Sequence, residues 1–332
     1  MSAILSCEYL ISPAICSPNE IDARVEDLLV ISENINNKTL IPFIEENAID
    51  TLVENNNYPC DRVFNENISK CTDNIYSGND IAKVVNSILQ KSSGFYCQDK
   101  FCSEVDNLTI TPYPFDETGR LDQTIIDMAI YLSLDLGEFH LVHFNKKNIT
   151  EVKINADIST IISDTLDTSS LSKLDNQINI PSSYKHYLSL MNGFPIYSSS
   201  QGELDLKLAI YIGALKLKRE MGENYQDFSW DSFEVGDEFW ASLHEHECLQ
   251  TKKYASTAFD VICHLVANHP KNDINPFYEL NNPEKQRERN GMKAWRTHVT
   301  KSGAALRLMY WQLPSGTIKL ANVANKNDLV IR

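Results

Sequence analysis

The sequence predicts an α+β protein in two parts: a mixed α/β domain over residues 1–230, then a small α+β domain over 231–332 with two helices and an antiparallel sheet. Three observations predict it. A chain of 332 residues exceeds what one hydrophobic core usually serves, roughly 100–200 residues. Apolar extended stretches alternate with helical periodicity through the front part, whereas the end shows two helical patterns followed by three strand patterns. Charge divides along the same line, with 13 Lys+Arg against 6 Asp+Glu in residues 248–332 and 17 against 39 in residues 1–247, for a total of −15.

Taken in order, Ala3 to Ile11 is apolar and extended, and Pro18-Asn19-Glu20 opens a helix running through Val30 with Ile21, Val25, Leu28 and Leu29 at apolar positions. Leu40-Ile41-Pro42-Phe43 followed by Glu45 to Val53 repeats strand and helix, and Glu54 to Pro59 reads as a turn. Asn79-Asp80 caps a helix, Ile81 to Lys91. Thr109 to Asp116, with Pro112 and Pro114, reads as a rigid connector before a helix over Leu121 to Leu134. His140 to Phe144 and the alternating Glu151 to Ile158 read as paired strands, and the polar Ser159 to Asn179 as a surface excursion. Leu204 to Met221 is a helix with Lys216, Lys218 and Arg219 complementing the dipole at its carboxyl end, and the domain boundary is expected within Gly222 to Val235.

In the last part Phe239 to His246 and Lys253 to Asn268 are helical, the second stopped by His269-Pro270. Three strands follow: Ala294 to Thr300, Leu306 to Leu313, and Thr317 to Val323 after the turn Pro314-Ser315-Gly316.

The composition, 42% hydrophobic and 23% charged with 12 Gly and 12 Pro, is that of a globular chain and excludes disordered and fibrous classes. Met1 to Leu10 lacks the basic region and cleavage site of a secretion signal, and no apolar run approaches the ~20 residues of a membrane span, so a cytoplasmic protein is expected. The eight cysteines (Cys7, Cys16, Cys60, Cys71, Cys97, Cys102, Cys248, Cys263) contain no CxxC pair, which points to reduced and mostly buried thiols.

Lys293 to Lys301, Ala305 to Trp311 and Gly316 to Leu320 together resemble the β-hairpin core of the RelE/ParE toxin superfamily, over about residues 235–332 and none of the front part. The resemblance implies a fold whose RelE-like members cleave messenger RNA in the ribosome with Arg, Lys, Tyr and sometimes His, by attack of the ribose 2′-hydroxyl on the adjacent phosphate. Such chemistry needs a base, cations around the transition state and a proton donor. By the period of two, Arg296, His298 and Thr300 share one strand face, with Trp295, Thr297 and Val299 on the other. On the next strand Arg307 shares a face with Met309 and Trp311, while Tyr310 lies among aliphatics and reads as core. Arg296, His298 and Arg307 are therefore the candidate catalytic residues, and Arg287, Arg289, Lys293 and Lys301 the candidate phosphate contacts. The stretch Asn325-Lys326-Asn327-Asp328 departs from the family, whose tails often carry His or Tyr. ParE-like relatives act on gyrase without nuclease chemistry, and fold alone does not choose.

Other constellations fail on spacing. His244 and His246 would point roughly 200° apart on a helix, so with Cys248 they make no metal site. His140 and His143 split across a strand, and His264 reads as structural. Asp22, Glu45, Glu46 and Asp50 invite comparison with a two-metal PIN-like nuclease, but Ser6-Cys7-Glu8 lacks the expected Asp. No metal or cofactor is called for. The expected partners are RNA or the ribosome, restrained by the acidic domain. The alternative is a non-enzymatic protein-interaction component of a toxin–antitoxin or antiviral defence complex, with an antitoxin or complex subunit as partner.

Overall fold

In the computed structural model, the described residues are 2–70, 75–95, 101–115, 119–163, 166, 168, 170–301 and 305–332; Cys71, Cys97 and Asp116 fall outside them. Helices and strands are both abundant in separate sheets, so the α+β class holds. The chain forms two compact units, Met1–Tyr187 and Leu188–Arg332. The boundary falls inside the helix Tyr184–Leu190 and not in Gly222 to Val235, so the helix Glu203–Glu220 belongs to the second unit. No helix among the described residues is long and apolar enough to cross a membrane.

The first unit contains β1 (Ser2–Leu5), β2 (Phe43–Ile44), β3 (Cys102–Thr111), β4 (Phe139–Val142), β5 (Glu151–Ile162) and β6 (Lys173–Asn179). A parallel sheet runs β2-β1-β4, and an antiparallel sheet runs β3-β5-β6. The first strand ends at Leu5, earlier than expected, because Ser6 caps a helical turn by accepting from the Tyr9 amide at 3.2 Å. Helix Ile21–Asn36 is six residues longer than its apolar pattern announced, and helix Gly78–Lys91 starts at a Ser77–Asp80 capping box. The pairing of His140–Phe144 with Glu151–Ile158 gives way: β4 lies parallel to β1, and β5 pairs with β3 and β6. Ser159 to Asn179 is likewise no mere excursion, since it contains the end of β5 and all of β6. Helix Asp122–Ser133 packs on β4 and β6, and its Ile125, Met128, Ala129 and Ile130 join Leu141, Ile154 and Ile178 in one core.

The second unit contains β7 (Phe233–Val235), β8 (Asn275–Pro276), β9 (Tyr278–Glu279), β10 (Asn282–Gln286), β11 (Glu288–Arg289), β12 (Met292–His298), β13 (Leu306–Gln312) and β14 (Ile318–Asn325). The main sheet runs β11-β12-β13-β14-β7, antiparallel except for the parallel β14–β7 pair, and β8 adds to the outer edge of β12. Helix Phe239–Glu245 packs on β14, where the Val323 amide donates to Ser242 Oγ at 3.0 Å. Helices Glu203–Glu220 and Ala255–Val266 approach closely at Gly213, where any Cβ would sit 2.4 Å from Cys263 Sγ. Among the described cysteines all are free, with Cys7, Cys16, Cys248 and Cys263 buried and Cys60 and Cys102 exposed. Burial pushes the Cys248 thiol up to about 12.

The unit boundary changes the charge account. Residues 1–187 carry 13 basic against 28 acidic side chains, while residues 188–332 carry 17 of each and are electroneutral. The acidic stretch 188–247 therefore belongs to the same unit as the basic strands.

Candidate nucleic-acid interface

Strand register decides which cations meet. His298 lies opposite Arg307, Arg296 opposite Met309, and Ala294 opposite Trp311. Directly opposed residues share a sheet face, so Arg296, His298 and Arg307 occupy one face. Phe277, Ala294, Met309, Trp311, Ala321 and Ala324 form an apolar cluster that includes this face's Ala294, Met309 and Trp311. The opposite face carries Leu308 and Tyr310, and Tyr310 is only 3% exposed, with burial raising its phenol well above the ordinary value.

Arg287 joins the cluster from the loop between β10 and β11. Its guanidinium stands over the Phe277 ring at 4.4 Å, and that of Arg296 stands over the same ring at 5.2 Å. Arg296 is held below the ordinary guanidinium value, first by burial and then by the charges of Arg307 and Arg287. Three like charges are thus gathered. Among the described residues no carboxylate forms an ion pair with any of the three, and such a group attracts a polyanion.

The remaining candidates divide. Lys293 is exposed but lies opposite Gln312 and shares its face with Trp295 and Thr297, so it does not join the cluster. Arg289 lies opposite Met292, on the Arg296 side but four residues along the strand, about 13 Å away. Lys301 is exposed, three residues beyond His298 at the other end of the strand. Arg287 does more than the sequence indicated: its Nε donates to Tyr278 O at 2.9 Å and its Nη1 to Leu329 O at 2.5 Å.

Sequence reasoning missed Tyr278 and Phe277. Tyr278 is 39% exposed, and its carbonyl oxygen accepts from Arg287 Nε at 2.9 Å. It offers a flat ring beside cations, the combination on which unpaired bases stack. The signal was present in Asn290-Gly291, whose φ values of 51° and 78° form the tight turn between β11 and β12. That dipeptide announces an extra strand, and the Arg287 amide, donating to Phe277 O at 2.8 Å, holds Arg287 beside Phe277. His298 is half-buried, and its Nδ1 has no hydrogen-bond partner among the described residues.

The first unit holds a different polar cluster, at the carboxyl ends of its parallel strands. Cys7 Sγ donates to Glu45 Oε1 at 2.9 Å, and the Cys7 amide to Glu45 Oε2 at 3.0 Å. Arg120 bridges Glu45 and Glu8, and His143 Nδ1 lies 2.9 Å from Ser6 Oγ and 3.5 Å from Glu8 Oε2. Burial raises the Glu45 carboxyl against the pull of Arg120. Burial also opposes the Arg120 charge, but Glu45 and Glu8 outweigh it and hold that group above its ordinary value. The guanidinium takes the place between two carboxylates that a cation would need. Asp22, Glu46 and Asp50 are exposed, and among the described residues no group of three or more His, Cys, Asp or Glu is arranged to hold a metal. In the second unit, His244 stacks on Trp240 at 5.9 Å.

In comparisons with protein-family models, with curated proteins and with solved structures, nothing matches the chain.

Proposed function

We propose that the second unit is a RelE-like module that binds single-stranded RNA on the face of Arg296, His298 and Arg307. The supporting observation is the convergence of Arg287, Arg296 and Arg307 on one face, with no carboxylate of the described residues paired to them. Phosphate charge dominates nucleic-acid affinity, and crowded guanidiniums are stabilised when phosphates arrive.

The same residues suit metal-independent strand cleavage. His298 takes the proton of a ribose 2′-hydroxyl, whose oxygen attacks the adjacent phosphorus. Arg296 and Arg307 hold the charge that develops on the phosphoryl oxygens. The bond from phosphorus to the 5′-oxygen breaks, that oxygen takes a proton from His298 or solvent, and the products are a 2′,3′-cyclic phosphate and a 5′-hydroxyl. The acidic unit Met1–Tyr187 acts as an in-chain competitor for the cationic face, at the high effective concentration that covalent linkage gives.

A second reading has its own observation. Large apolar side chains are exposed at Ile274, Tyr278, Leu280, Leu329 and Val330, and Arg287 ties the Tyr278 and Leu329 backbones together. Such a patch fits a protein partner, an antitoxin or a subunit of a defence complex.

The experiment is to incubate the full chain with end-labelled single-stranded RNA in the presence of EDTA, beside Arg296→Ala and Arg307→Ala. Cleavage to cyclic-phosphate ends that both variants abolish supports the nuclease reading. Binding without cleavage leaves an RNA-binding module, and no RNA binding at all removes the proposal in favour of the protein partner.

A further inference from the structure

Two of the three clustered guanidiniums already hold an acceptor from the protein itself. After β14 the chain turns, with the Asp328 amide donating to Asn325 O at 2.9 Å, and residues 326–332 run back along the sheet. Arg307 Nη1 donates to Lys326 O at 3.4 Å, and Arg287 Nη1 donates to Leu329 O at 2.5 Å. Trp311 Nε1 donates to Arg332 O at 2.9 Å, while Asn322 clasps the segment twice, by Nδ2 to Val330 O and by Oδ1 from the Arg332 amide, each 3.2 Å. Ile331 packs on the apolar cluster of Phe277, Met309 and Trp311.

This is an unusual way to satisfy two cations. A carbonyl oxygen carries a partial negative charge and accepts from a guanidinium much as a phosphoryl oxygen does, but without the full charge that three crowded cations call for. The apolar hold is light as well, although Arg332 adds an ion pair to Glu238 at 3.7 Å. Leu329 is 40% and Val330 55% exposed, Ile331 is the segment's member of the apolar cluster, and the Arg307 bond is long. A segment with few buried apolar contacts opens at low free energy.

We propose that residues 326–332 form a displaceable strap, with the carbonyl oxygens of Lys326 and Leu329 standing where two phosphate oxygens of a bound RNA strand would stand. The inference rests on the RNA reading above and adds its regulation. RNA enters when the strap swings out, so the measured affinity is the intrinsic affinity reduced by the fraction of molecules that are open. Any partner that holds the strap down closes the site, and any that captures Leu329 and Val330 opens it.

The test compares three proteins: the full chain, a chain ending at Asn325, and Asn322→Ala, which removes the double clasp and leaves every clustered cation in place. Binding of a fluorescent ten-nucleotide RNA is measured by anisotropy, and hydrogen exchange is followed at the amides of 329–332. The expected result is tighter binding by both altered proteins, about three- to tenfold, with faster exchange in Asn322→Ala and in the full chain once RNA is added. Equal or weaker binding by both altered proteins overturns the strap and leaves the RNA reading standing. Unchanged protection of 329–332 on RNA binding overturns it too. Absence of RNA binding in all three overturns the RNA reading and the strap with it.

Discussion

His298 and Arg307 face each other directly across the β12–β13 pair, an imidazole opposite a guanidinium on one sheet face, with Arg296 one place diagonal to Arg307. Opposed residues in an antiparallel pair have Cα atoms about 4.5–5.5 Å apart, so the two side chains reach a common point above the sheet. This places an imidazole and a guanidinium within one nucleotide's span.

Removing Arg296 and Arg307 separately by substitution to Ala is expected to weaken RNA binding with little preference among sequences. Each variant should also flatten the dependence of log affinity on log salt by about one phosphate's worth, roughly 0.7 for a single strand. A titration across salt concentrations checks it, and an unchanged slope in both variants contradicts phosphate contact.

Lys293→Ala serves as the opposite-face control. Because Lys293 sits beside Trp295 and Thr297, its loss should leave affinity within about twofold, whereas Lys301→Ala, at the His298 end, should weaken binding more. Comparable losses from both, measured by the same titration, would mean that the strand alternation does not divide the surface.

Tyr310→Ala is expected to act on stability. The side chain is 3% exposed, and truncating a buried aromatic residue costs about 3–5 kcal/mol. Arg307→Ala should stay within about 1 kcal/mol of wild type. Chemical denaturation of the full chain, followed by tryptophan fluorescence, separates the two.

Arg120→Met should be strongly destabilising, by about 3–5 kcal/mol, because it leaves Glu45 and Glu8 without their cation. The effect should depend on pH with a definite sign. Without Arg120 the buried Glu45 carboxyl rises further above its unfolded value, so the folded state binds more protons than the unfolded state, and stability falls as pH rises. The variant should therefore lie closer to wild type near about pH 5 than near about pH 8. Thermal melts at the two values decide it, and a penalty that grows on acidification contradicts the buried pairing.

The sheet strands around Arg296 and Arg307 were legible because Ala294 to Thr300 alternates, Leu306 to Leu313 is strongly β-prone, and the turn at Pro314 to Gly316 leads into a third strand pattern. The strands β8 to β11 were not, since each has only two to five residues, too few for a period to show. Arg120 was invisible for another reason: it meets Glu8 and Glu45, which lie 112 and 75 residues away, and no local pattern reports such a meeting. The strap was hidden because its acceptors are backbone carbonyls, which every residue carries.

Residues 188–332 balance 17 basic against 17 acidic side chains, and acidic groups of the earlier stretch reach the basic end, Glu234 pairing with Lys319 at 3.8 Å and Glu238 with Arg332 at 3.7 Å. This unit therefore has no net charge with which to draw a polyanion from afar. Whatever attraction Arg287, Arg296 and Arg307 exert is local, fading within a Debye length of about 8–10 Å in physiological salt.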